Sequence, residues 1–231
     1  KSLEVAGRAG IPVPELIAFD QQGVECDFPA VLMSHLPGRV VLEPQDMHTW
    51  LSGLTELLVP IHQVDAGEFP WRYYTYNDVN RLKPPAWSQQ QDLWVRAIEI
   101  LQTEHPQTDT TFIHRDYHPT NVLWEGERPS GVVDWVNACL GPPGIDLGHC
   151  RTNLVHLYGV EVADRFLDAY ISVSTSAYTH HPYWDLLTMI EFLPGPPQMY
   201  NGWTDNRFPL VPEGELISRC DDYLVSLIQK L

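Results

Sequence analysis

The chain has 231 residues, and its 14 Lys and Arg against 30 Asp and Glu give a formal net charge of −16. This charge argues against a nucleic acid as partner, because phosphate backbones are bound by clustered Lys and Arg. Hydrophobic residues make up 44% of the chain, which is enough for a packed core and excludes disorder as the main state. No apolar run approaches the roughly 20 residues that span a bilayer, so we expect a soluble, cytoplasmic protein with no membrane partner.

The first 38 residues predict a small segment that contains β-structure. A helix end is followed by two short apolar runs that are typical of strands, at residues 16–19 and 30–33. The sequence Ser-His-Leu-Pro-Gly that follows them, residues 34–38, has the composition of a linker. We therefore place a boundary there, with residues 1–38 on one side and residues 39–231 on the other.

The larger part of the chain is predicted to be mainly helical. Its apolar residues recur at three- and four-residue steps, which is the period of an amphipathic helix. Pro60 should kink or end the first of these helices near Leu58, because proline cannot continue a helical hydrogen-bond ladder. The segments 71–85 and 194–212 lack a period and are expected to be loops, the former facing a substrate. The predicted helices cover residues 44–64, 90–103, 145–157, 160–173, 183–192 and 213–231.

Three short apolar runs interrupt the helical pattern, at residues 111–113, 121–124 and 131–133. The last two are joined by a turn that contains glycine and proline, so they predict a β-hairpin. The loop that joins the first run to the hairpin is dense in polar side chains and has the sequence His114-Arg115-Asp116-Tyr117-His118-Pro119-Thr120.

Asp116, Asn121 and Asp134 follow these runs in a pattern that suits phosphoryl transfer. Asp116 lies on the loop after the first run, Asn121 opens the hairpin and Asp134 ends it, so the three side chains can converge. In phosphoryl transfer one carboxylate accepts the proton of the acceptor hydroxyl, while an amide oxygen and a second carboxylate hold Mg²⁺ against the nucleotide phosphates. Asp and Asn are also common in turns and helix caps, which is the alternative explanation for all three.

The same stretch carries a recognisable motif. Residues 114–121 have the pattern H-x-D-x-x-x-x-N, and Val-Val-Asp-Trp at 132–135 and Gly-Pro-Pro-Gly-Ile-Asp-Leu at 141–147 follow it. Together with Ile-Pro-Val-Pro at 11–14, these strings resemble the aminoglycoside phosphotransferase and choline kinase-like family. The resemblance covers most of the chain. It implies an α+β, protein-kinase-like fold, with a partial N-terminal β lobe and hinge in residues 1–38 and a mainly helical catalytic lobe that carries the β-hairpin.

The resemblance implies specific roles for five residues. The implied catalytic base is Asp116, and the implied ligands of Mg²⁺ are Asn121 and Asp134. The backbone groups of Ser34 and Leu36 are implied to form the hinge that hydrogen-bonds the adenine of ATP, with GTP as the alternative nucleotide.

The resemblance also implies what surrounds the site and what it acts on. His114 and Asp146 are expected to support the catalytic loop from behind. The implied activity is ATP-dependent transfer of the γ-phosphate to a hydroxyl of a small molecule, such as an aminoglycoside, a macrolide or an amino alcohol. The net charge of −16 modestly favours a cationic acceptor.

Part of the family pattern is expected to lie before the first residue. The family's glycine-rich phosphate loop, strand lysine and helix glutamate have no match in residues 1–30. Lys1 and Glu4 stand too close to the Ile-Pro-Val-Pro string to replace them. We therefore expect residues 1–231 alone to bind ATP weakly or not at all and to be inactive.

Arg115 departs from the family pattern, since glycine is more usual at this position. In protein kinases such an arginine pairs with a phosphate on the activation loop. Only eleven residues separate Asp134 from Asp146, too few for a regulatory loop of that kind. This short spacing favours a small-molecule acceptor over a protein.

Two other functions stay open from the sequence. A kinase-like module that binds a ligand without phosphoryl transfer is compatible with the missing upstream motifs. The other is a divalent-metal hydrolase, since His114, Asp116 and His118 alternate along an extended segment and would point to the same side. No further His, Cys or Glu stands nearby at the spacing of a zinc site, which argues against the hydrolase.

Overall fold

The structure is a computed structural model that describes residues 1–174, 178–192 and 195–231. Its strands form two-stranded antiparallel sheets that pair β1 with β2, β3 with β6 and β4 with β5. These strands are β1 (Leu16–Asp20), β2 (Ala30–Met33), β3 (Thr111–Ile113), β4 (Val122–Glu125), β5 (Arg128–Val132) and β6 (Cys139–Gly141). The α-helices are α1 (Ser2–Arg8), α2 (Met47–His62), α3 (Gln91–Thr103), α4 (Pro143–Tyr158), α5 (Val160–Val173), α6 (Tyr183–Met189), α7 (Asn201–Asp205) and α8 (Glu213–Ile228).

The hairpin β1–β2 lies where the sequence predicts two strands. Its turn is closed by the carboxylate of Asp20, which accepts the backbone N–H groups of residues 24–26. Apolar side chains of both strands are exposed, with Phe19 at 66% and Val31 at 59%. The hairpin therefore contributes little to the hydrophobic core.

Helix α2 begins at an N-cap and buries one apolar face. The carboxylate of Asp46 accepts the backbone N–H of Thr49 at 2.8 Å, which satisfies one of the free donors of the first turn. The helix continues to His62, so of the two outcomes expected at Pro60, a kink or an end near Leu58, the end is wrong. Pro60 stands in the last turn, where its missing N–H removes a single hydrogen bond, and the packing of the buried residues around it holds the turn in place.

Helix α4 is the centre of the helical core, since 14 of its 16 residues are buried. It packs against α5, α6 and α8. Gly148 allows α6 to approach closely, because a Cβ at this position would lie 2.8 Å from the carbonyl oxygen of Trp184. This close packing holds α4 in one position, and two of its residues, Asp146 and His149, reach the loop of residues 114–121.

The sheets β3–β6 and β4–β5 lie on either side of that loop. The hairpin β4–β5 is present as predicted, although its strands extend further and leave only Gly126 and Glu127 in the turn. Strand β6 is absent from the sequence prediction, and it pairs with β3 so that Ile113 lies opposite Cys139. The loop therefore begins at the end of one sheet and runs into the other.

The later helices follow the sequence prediction with three differences, one of which is that α8 ends at Ile228 and not at residue 231. Helix α5 covers the predicted residues 160–173, whereas α6 ends at Met189 and is continued by a 3₁₀ turn, Ile190–Phe192. The predicted loop 194–212 contains the short helix α7, and Pro194 lies outside the described residues. Among the described residues, no helix combines the length and the apolar character needed to cross a membrane.

Candidate active site

The loop after β3 carries Asp116 and is anchored from α4. The carboxylate of Asp146, in the first turn of that helix, accepts the backbone N–H of His114 at 2.8 Å and that of Arg115 at 2.6 Å. Asp146 is fully buried, so both hydrogen bonds are shielded from water. The backbone just before Asp116 is therefore held in one conformation.

Two further residues extend this anchor into the helical core. The imidazole Nε2 of His62, at the end of α2, lies 3.1 Å from Oδ2 of Asp146. The Nδ1 of the same ring lies 2.7 Å from the hydroxyl of Tyr170 in α5. Helices α2, α4 and α5 thus meet in one buried hydrogen-bonded chain that ends on the loop. Neither His62 nor Tyr170 stands in a recognisable motif, so sequence reasoning missed both.

His114 is fully buried beneath the loop. Its Nε2–H donates to the backbone carbonyl of Val133 at 2.9 Å, and its ring packs edge-on against Trp135 with the centroids 4.7 Å apart. Burial lowers the pKa of His114 below its ordinary value, so the ring is neutral at pH 7. The imidazole joins the loop to the residues that follow β5 and does not face the surface.

Asp116 is the acidic residue of the loop, and 28% of its side chain is exposed. Its Oδ1 lies 3.1 Å from Nε2 of His149 in α4 and 3.7 Å from Nε2 of His118. Burial by itself would raise the pKa of Asp116, but the hydrogen bond with His149 and the charges of the nearby histidines hold it below its ordinary value. The Asp116 carboxyl is therefore ionised at neutral pH.

The two histidines beside Asp116 have opposite environments. Burial would lower the pKa of His149, but its hydrogen bond to Asp116 and the charges of Asp116 and Glu191 raise it above its ordinary value. Burial and the neighbouring His149 lower the pKa of His118 to about 3, so this imidazole is neutral at pH 7. The Nδ1 of His118 lies 2.8 Å from the hydroxyl of Thr120. Sequence reasoning missed His149, because it lies far from Asp116 along the chain and reaches the site only through the placement of α4.

Asn121 and Asp134 lie at adjoining ends of the hairpin. The backbone N–H of Val133 donates to the carbonyl of Asn121 at 3.0 Å, which brings the two strand ends together. The side-chain Nδ2 of Asn121 donates to the backbone carbonyl of Asp116 at 2.8 Å, which leaves the amide oxygen available. Asp134 adopts a left-handed conformation with φ of 63° and is exposed. The two residues that the sequence suggests as metal ligands thus offer an amide oxygen and a carboxylate.

Ser34 and Leu36 follow strand β2. The backbone N–H of Ser34 donates to the carbonyl of Glu15 at 2.9 Å, and the Ser34 hydroxyl accepts the N–H of Glu15 at 2.8 Å. The backbone N–H of Leu36 has no hydrogen-bond partner within the described part of the chain. Its side chain packs against Gly131 of the β4–β5 hairpin. Of the two N–H groups, only that of Leu36 is available to a ligand.

Arg115 adopts a φ of 68°, a left-handed conformation that favours glycine. Its guanidinium donates to the backbone carbonyl of Tyr74 at 2.7 Å and lies over three tyrosine rings. The distances to the ring centroids are 5.2, 4.6 and 4.4 Å for Tyr73, Tyr74 and Tyr76. Through these contacts, the segment 71–85, which the sequence predicts to face a substrate, lies beside the loop of Asp116. Tyr74 and Tyr76 in this segment are exposed.

Two residues from the C-terminal part of the chain complete the surroundings of Asp116. Burial raises the pKa of Glu191, the charges of His149 and Arg115 lower it, and the charge of Asp116 raises it. The carboxyl group of Glu191 is therefore one of the charged groups around the loop. Tyr200 packs edge-on against His118, with the ring centroids 5.9 Å apart. Aromatic and charged side chains therefore border the space in front of Asp116.

The order of these residues along the chain agrees with a known enzyme family. Residues 1–187 match the family described as "Phosphotransferase enzyme family", abbreviated APH. The chain belongs to this family. The match includes the loop of residues 114–121 and Asp134, and it confirms the resemblance seen in the sequence.

Solved structures with low sequence identity share the fold of this phosphotransferase. A choline/ethanolamine kinase family protein from Mesorhizobium loti is 17% identical, with 99% of this chain and 78% of that chain covered and a TM-score of 0.61. Choline kinase LicA from Streptococcus pneumoniae is 15% identical, with 97% of this chain and 78% of that chain covered and a TM-score of 0.61. The phosphotransferase therefore has the kinase-like fold of these proteins, which confirms the α+β fold class expected from the sequence.

A curated relative from Mus musculus shares part of the sequence. The protein named acyl-CoA dehydrogenase family member 10 is 24% identical to the phosphotransferase over 166 residues. The match covers 64% of this chain and 16% of the mouse protein. The chain thus corresponds to a small part of that relative's length.

Proposed function

We propose that this phosphotransferase transfers the γ-phosphate of ATP to a hydroxyl of a small molecule. The observation that carries the proposal is the position of Asp116, an ionised and partly exposed carboxylate on a loop that buried groups hold in place. A carboxylate held in this way suits the general base of phosphoryl transfer, which depends on positioning more than on covalent chemistry. The family assignment supports the same class of reaction.

In the proposed reaction, Asp116 accepts a hydrogen bond from the acceptor hydroxyl and takes its proton as the oxygen attacks the γ-phosphorus. A bond forms between the acceptor oxygen and phosphorus, and the bond from the γ-phosphorus to the bridging oxygen of ADP breaks. His149 and His118 face Oδ1 of Asp116, so Oδ2 is the oxygen left for the acceptor. The anchor from Asp146 keeps the carboxylate in place while the charge moves.

The segment after β2 supports a purine nucleotide as the donor. An unpaired backbone N–H at Leu36 and a backbone carbonyl at Ser34, two residues earlier, together match the hydrogen-bonding edge of adenine. Guanine presents a different order of donors and acceptors, so ATP is preferred over GTP in this proposal. Distant structures of the same fold support the choice of nucleotide: APH(3'')-Id from Streptomyces rimosus is in complex with ADP and streptomycin, and a mutant of APH(4)-Ia is in complex with ADP and hygromycin B.

The residues at the hairpin ends fit Mg²⁺. This ion prefers oxygen ligands, and Asn121 and Asp134 offer an available amide oxygen and an exposed carboxylate. When bound, Mg²⁺ supplies charge neutralisation at the nucleotide phosphates. The hydrogen bond from Asn121 to the backbone of Asp116 ties this proposed ligand to the proposed base, so both keep their relative position.

The proposed acceptor is a small molecule with a hydroxyl and a cationic group. The net charge of −16 raises the local concentration of cations near the protein. The carboxylate of Glu191 lies near the loop of Asp116 and suits an ammonium group, whereas the rings of Tyr74 and Tyr76 already contact the guanidinium of Arg115. Aminoglycosides, macrolides and amino alcohols all carry both groups, and they form the set of candidates.

A screen of acceptors with the full-length protein tests this proposal. ADP release is measured with ATP and Mg²⁺ in the presence of aminoglycosides, macrolides, choline and related amino alcohols, and products are examined by mass spectrometry. We expect acceptor-dependent ADP release and a product heavier by one phosphoryl group. Nucleotide binding without phosphorylation of any candidate would contradict the proposal and favour the non-catalytic kinase-like module.

A further inference from the structure

The carboxylate of Asp116 and two imidazoles form a group with the composition of a transition-metal site. Oδ1 of Asp116 lies 3.1 Å from Nε2 of His149 and 3.7 Å from Nε2 of His118, and the three ligand atoms lie within 4.8 Å of one another. His114 does not belong to the group, although it alternates with Asp116 and His118 in the sequence. Its Nε2–H donates to the carbonyl of Val133 instead.

The distances within the group suit a divalent transition ion. In a tetrahedral zinc site, bonds of about 2.0–2.2 Å separate neighbouring ligand atoms by roughly 3.4 Å. The separations of 3.1 and 3.7 Å at Oδ1 of Asp116 lie on either side of that value. Two histidines and one carboxylate are also the protein ligands of known catalytic zinc and non-haem iron sites. Small movements of side chains are therefore enough to enclose an ion.

The surroundings hold the two histidines in the orientation of ligands. The hydroxyl of Thr120 lies 2.8 Å from Nδ1 of His118, so the other ring nitrogen is the one that faces Asp116. Such contacts to the second ring nitrogen fix the tautomer and orientation of metal-bound histidines. His149 projects from the tightly packed helix α4, and only 15% of its side chain is exposed.

We propose that Asp116, His118 and His149 bind a divalent transition-metal ion, for which Zn²⁺ is the probe, at a site separate from Asn121 and Asp134. Imidazole suits zinc, whereas Mg²⁺ prefers oxygen ligands, so the two sites select different ions. The bound transition ion is coordinated by Asp116, the carboxylate that deprotonates the acceptor in the proposed reaction. This consequence rests on the proposed function: Zn²⁺ inhibits phosphoryl transfer even when Mg²⁺ is abundant.

Direct binding of Zn²⁺ to the full-length protein tests the site without reference to activity. The protein is titrated with ZnCl₂ in excess Mg²⁺, by calorimetry and by competition with a chromogenic chelator. We expect one ion per chain at the site. Co²⁺ is a second probe, because its visible spectrum reports coordination by nitrogen and oxygen ligands. Absence of Zn²⁺ binding to the wild-type protein would overturn the proposal.

Three variants locate the bound ion. His149→Phe removes a ligand. Because losing only a hydrogen-bond partner of a ligand already weakens metal binding by about 10-fold or more, this variant is expected to weaken Zn²⁺ binding by more than about 10-fold. Thr120→Val removes only the contact to His118 and is expected to weaken binding by about 10-fold. His105→Gln is the matched control, since His105 is an exposed histidine outside the site. Equal affinity in all three variants would mean adventitious binding and would overturn the site.

The two proposals fail in different ways. If Zn²⁺ binds and the variants weaken it, but no acceptor is ever phosphorylated, the metal site stands and the proposed function fails. If an acceptor is phosphorylated and Zn²⁺ neither binds nor inhibits, the proposed function stands and the metal site fails. Thr120→Val keeps all three ligands, so it decides the question even if His149→Phe does not fold.

Discussion

Oδ1 of Asp146 accepts the backbone N–H of Arg115 at 2.6 Å, although the two residues are 31 positions apart in the chain. This hydrogen bond joins the first turn of α4 to the residue directly before Asp116. The most central helix of the fold therefore determines where the proposed base stands. The rigidity of the site comes from the helical core, even though Asp116 itself is partly exposed to solvent.

Replacing Asp146 by Asn should destabilise the fold. The amide offers one acceptor oxygen where the carboxylate offers two, so the N–H of His114 or that of Arg115 loses its partner in a buried place. A buried unsatisfied donor costs about 1–3 kcal/mol, and this loss is expected in the free energy of unfolding measured with urea. Asp222→Asn, at an exposed position of α8, is the control and should leave stability unchanged. Equal stability of the two variants would argue against the two hydrogen bonds by which Asp146 holds the loop.

Replacing Arg115 separates the strain of its backbone from the contacts of its side chain. Both Arg115→Gly and Arg115→Ala lose the contacts with Tyr74 and Tyr76. Only glycine adopts a φ of 68° without strain, so the glycine variant should be more stable than the alanine variant by about 1 kcal/mol. Urea denaturation of both proteins measures the difference. An alanine variant as stable as the glycine variant would show that the left-handed conformation is not maintained in solution.

Stability should depend on pH through a buried ion pair on the far side of α4. Nη1 of Arg151 lies 2.7 Å from Oδ2 of Asp185, and both side chains are almost completely buried. Burial by itself would raise the pKa of Asp185, but the charge of Arg151 and contacts with His180 and Tyr223 hold it well below its ordinary value. The unfolded chain, in which the pKa of Asp is about 3.9, takes up a proton at a higher pH than the folded chain. The stabilisation is therefore complete above that pH and is lost as the pH falls below it.

Asp185→Asn tests this pH dependence. The free energy of unfolding of the wild-type protein should decrease as the pH falls from about 5 to 3, and that of the variant should decrease less steeply. At pH 7 the variant should be less stable by about 3 kcal/mol, because it leaves the buried Arg151 with Asp164 as its remaining ionic partner. Urea denaturation across this pH range gives both curves. Parallel curves would mean that Asp185 is not the group responsible.

Local patterns were sufficient to predict most of the helices and the hairpin, but not the short helix α7. The three- and four-residue period predicted α5 because the apolar spacing there is regular and no proline or glycine interrupts it. Strand β6 was missed because it has three residues and exists only through its pairing with β3. The end of α2 was misplaced because the packing of a buried last turn outweighs the single hydrogen bond that Pro60 removes.

The candidate site was predictable only where its residues stand in strings that resemble the family, and these include Asp146 although it is 31 positions from Arg115. The spacing of the motif identified Asp116, Asn121 and Asp134, whose proposed roles stay predictions. Helix packing brings His149 to Asp116 and His62 to Asp146. No local sequence pattern predicts such contacts. The division of the chain near residues 34–38 and the phosphate loop expected upstream also stay predictions.

In the proposed reaction, Asp116 accepts the proton of the acceptor hydroxyl. Asp116→Asn keeps the size of the side chain and removes its basicity, so it isolates this role. The decisive measurement is the kcat of acceptor-dependent ADP release by the full-length wild-type and variant proteins, with ATP binding measured in parallel by calorimetry. We expect a kcat lower by about 10²–10⁴-fold with ATP affinity unchanged. Turnover of the variant at the wild-type rate would contradict this role of Asp116.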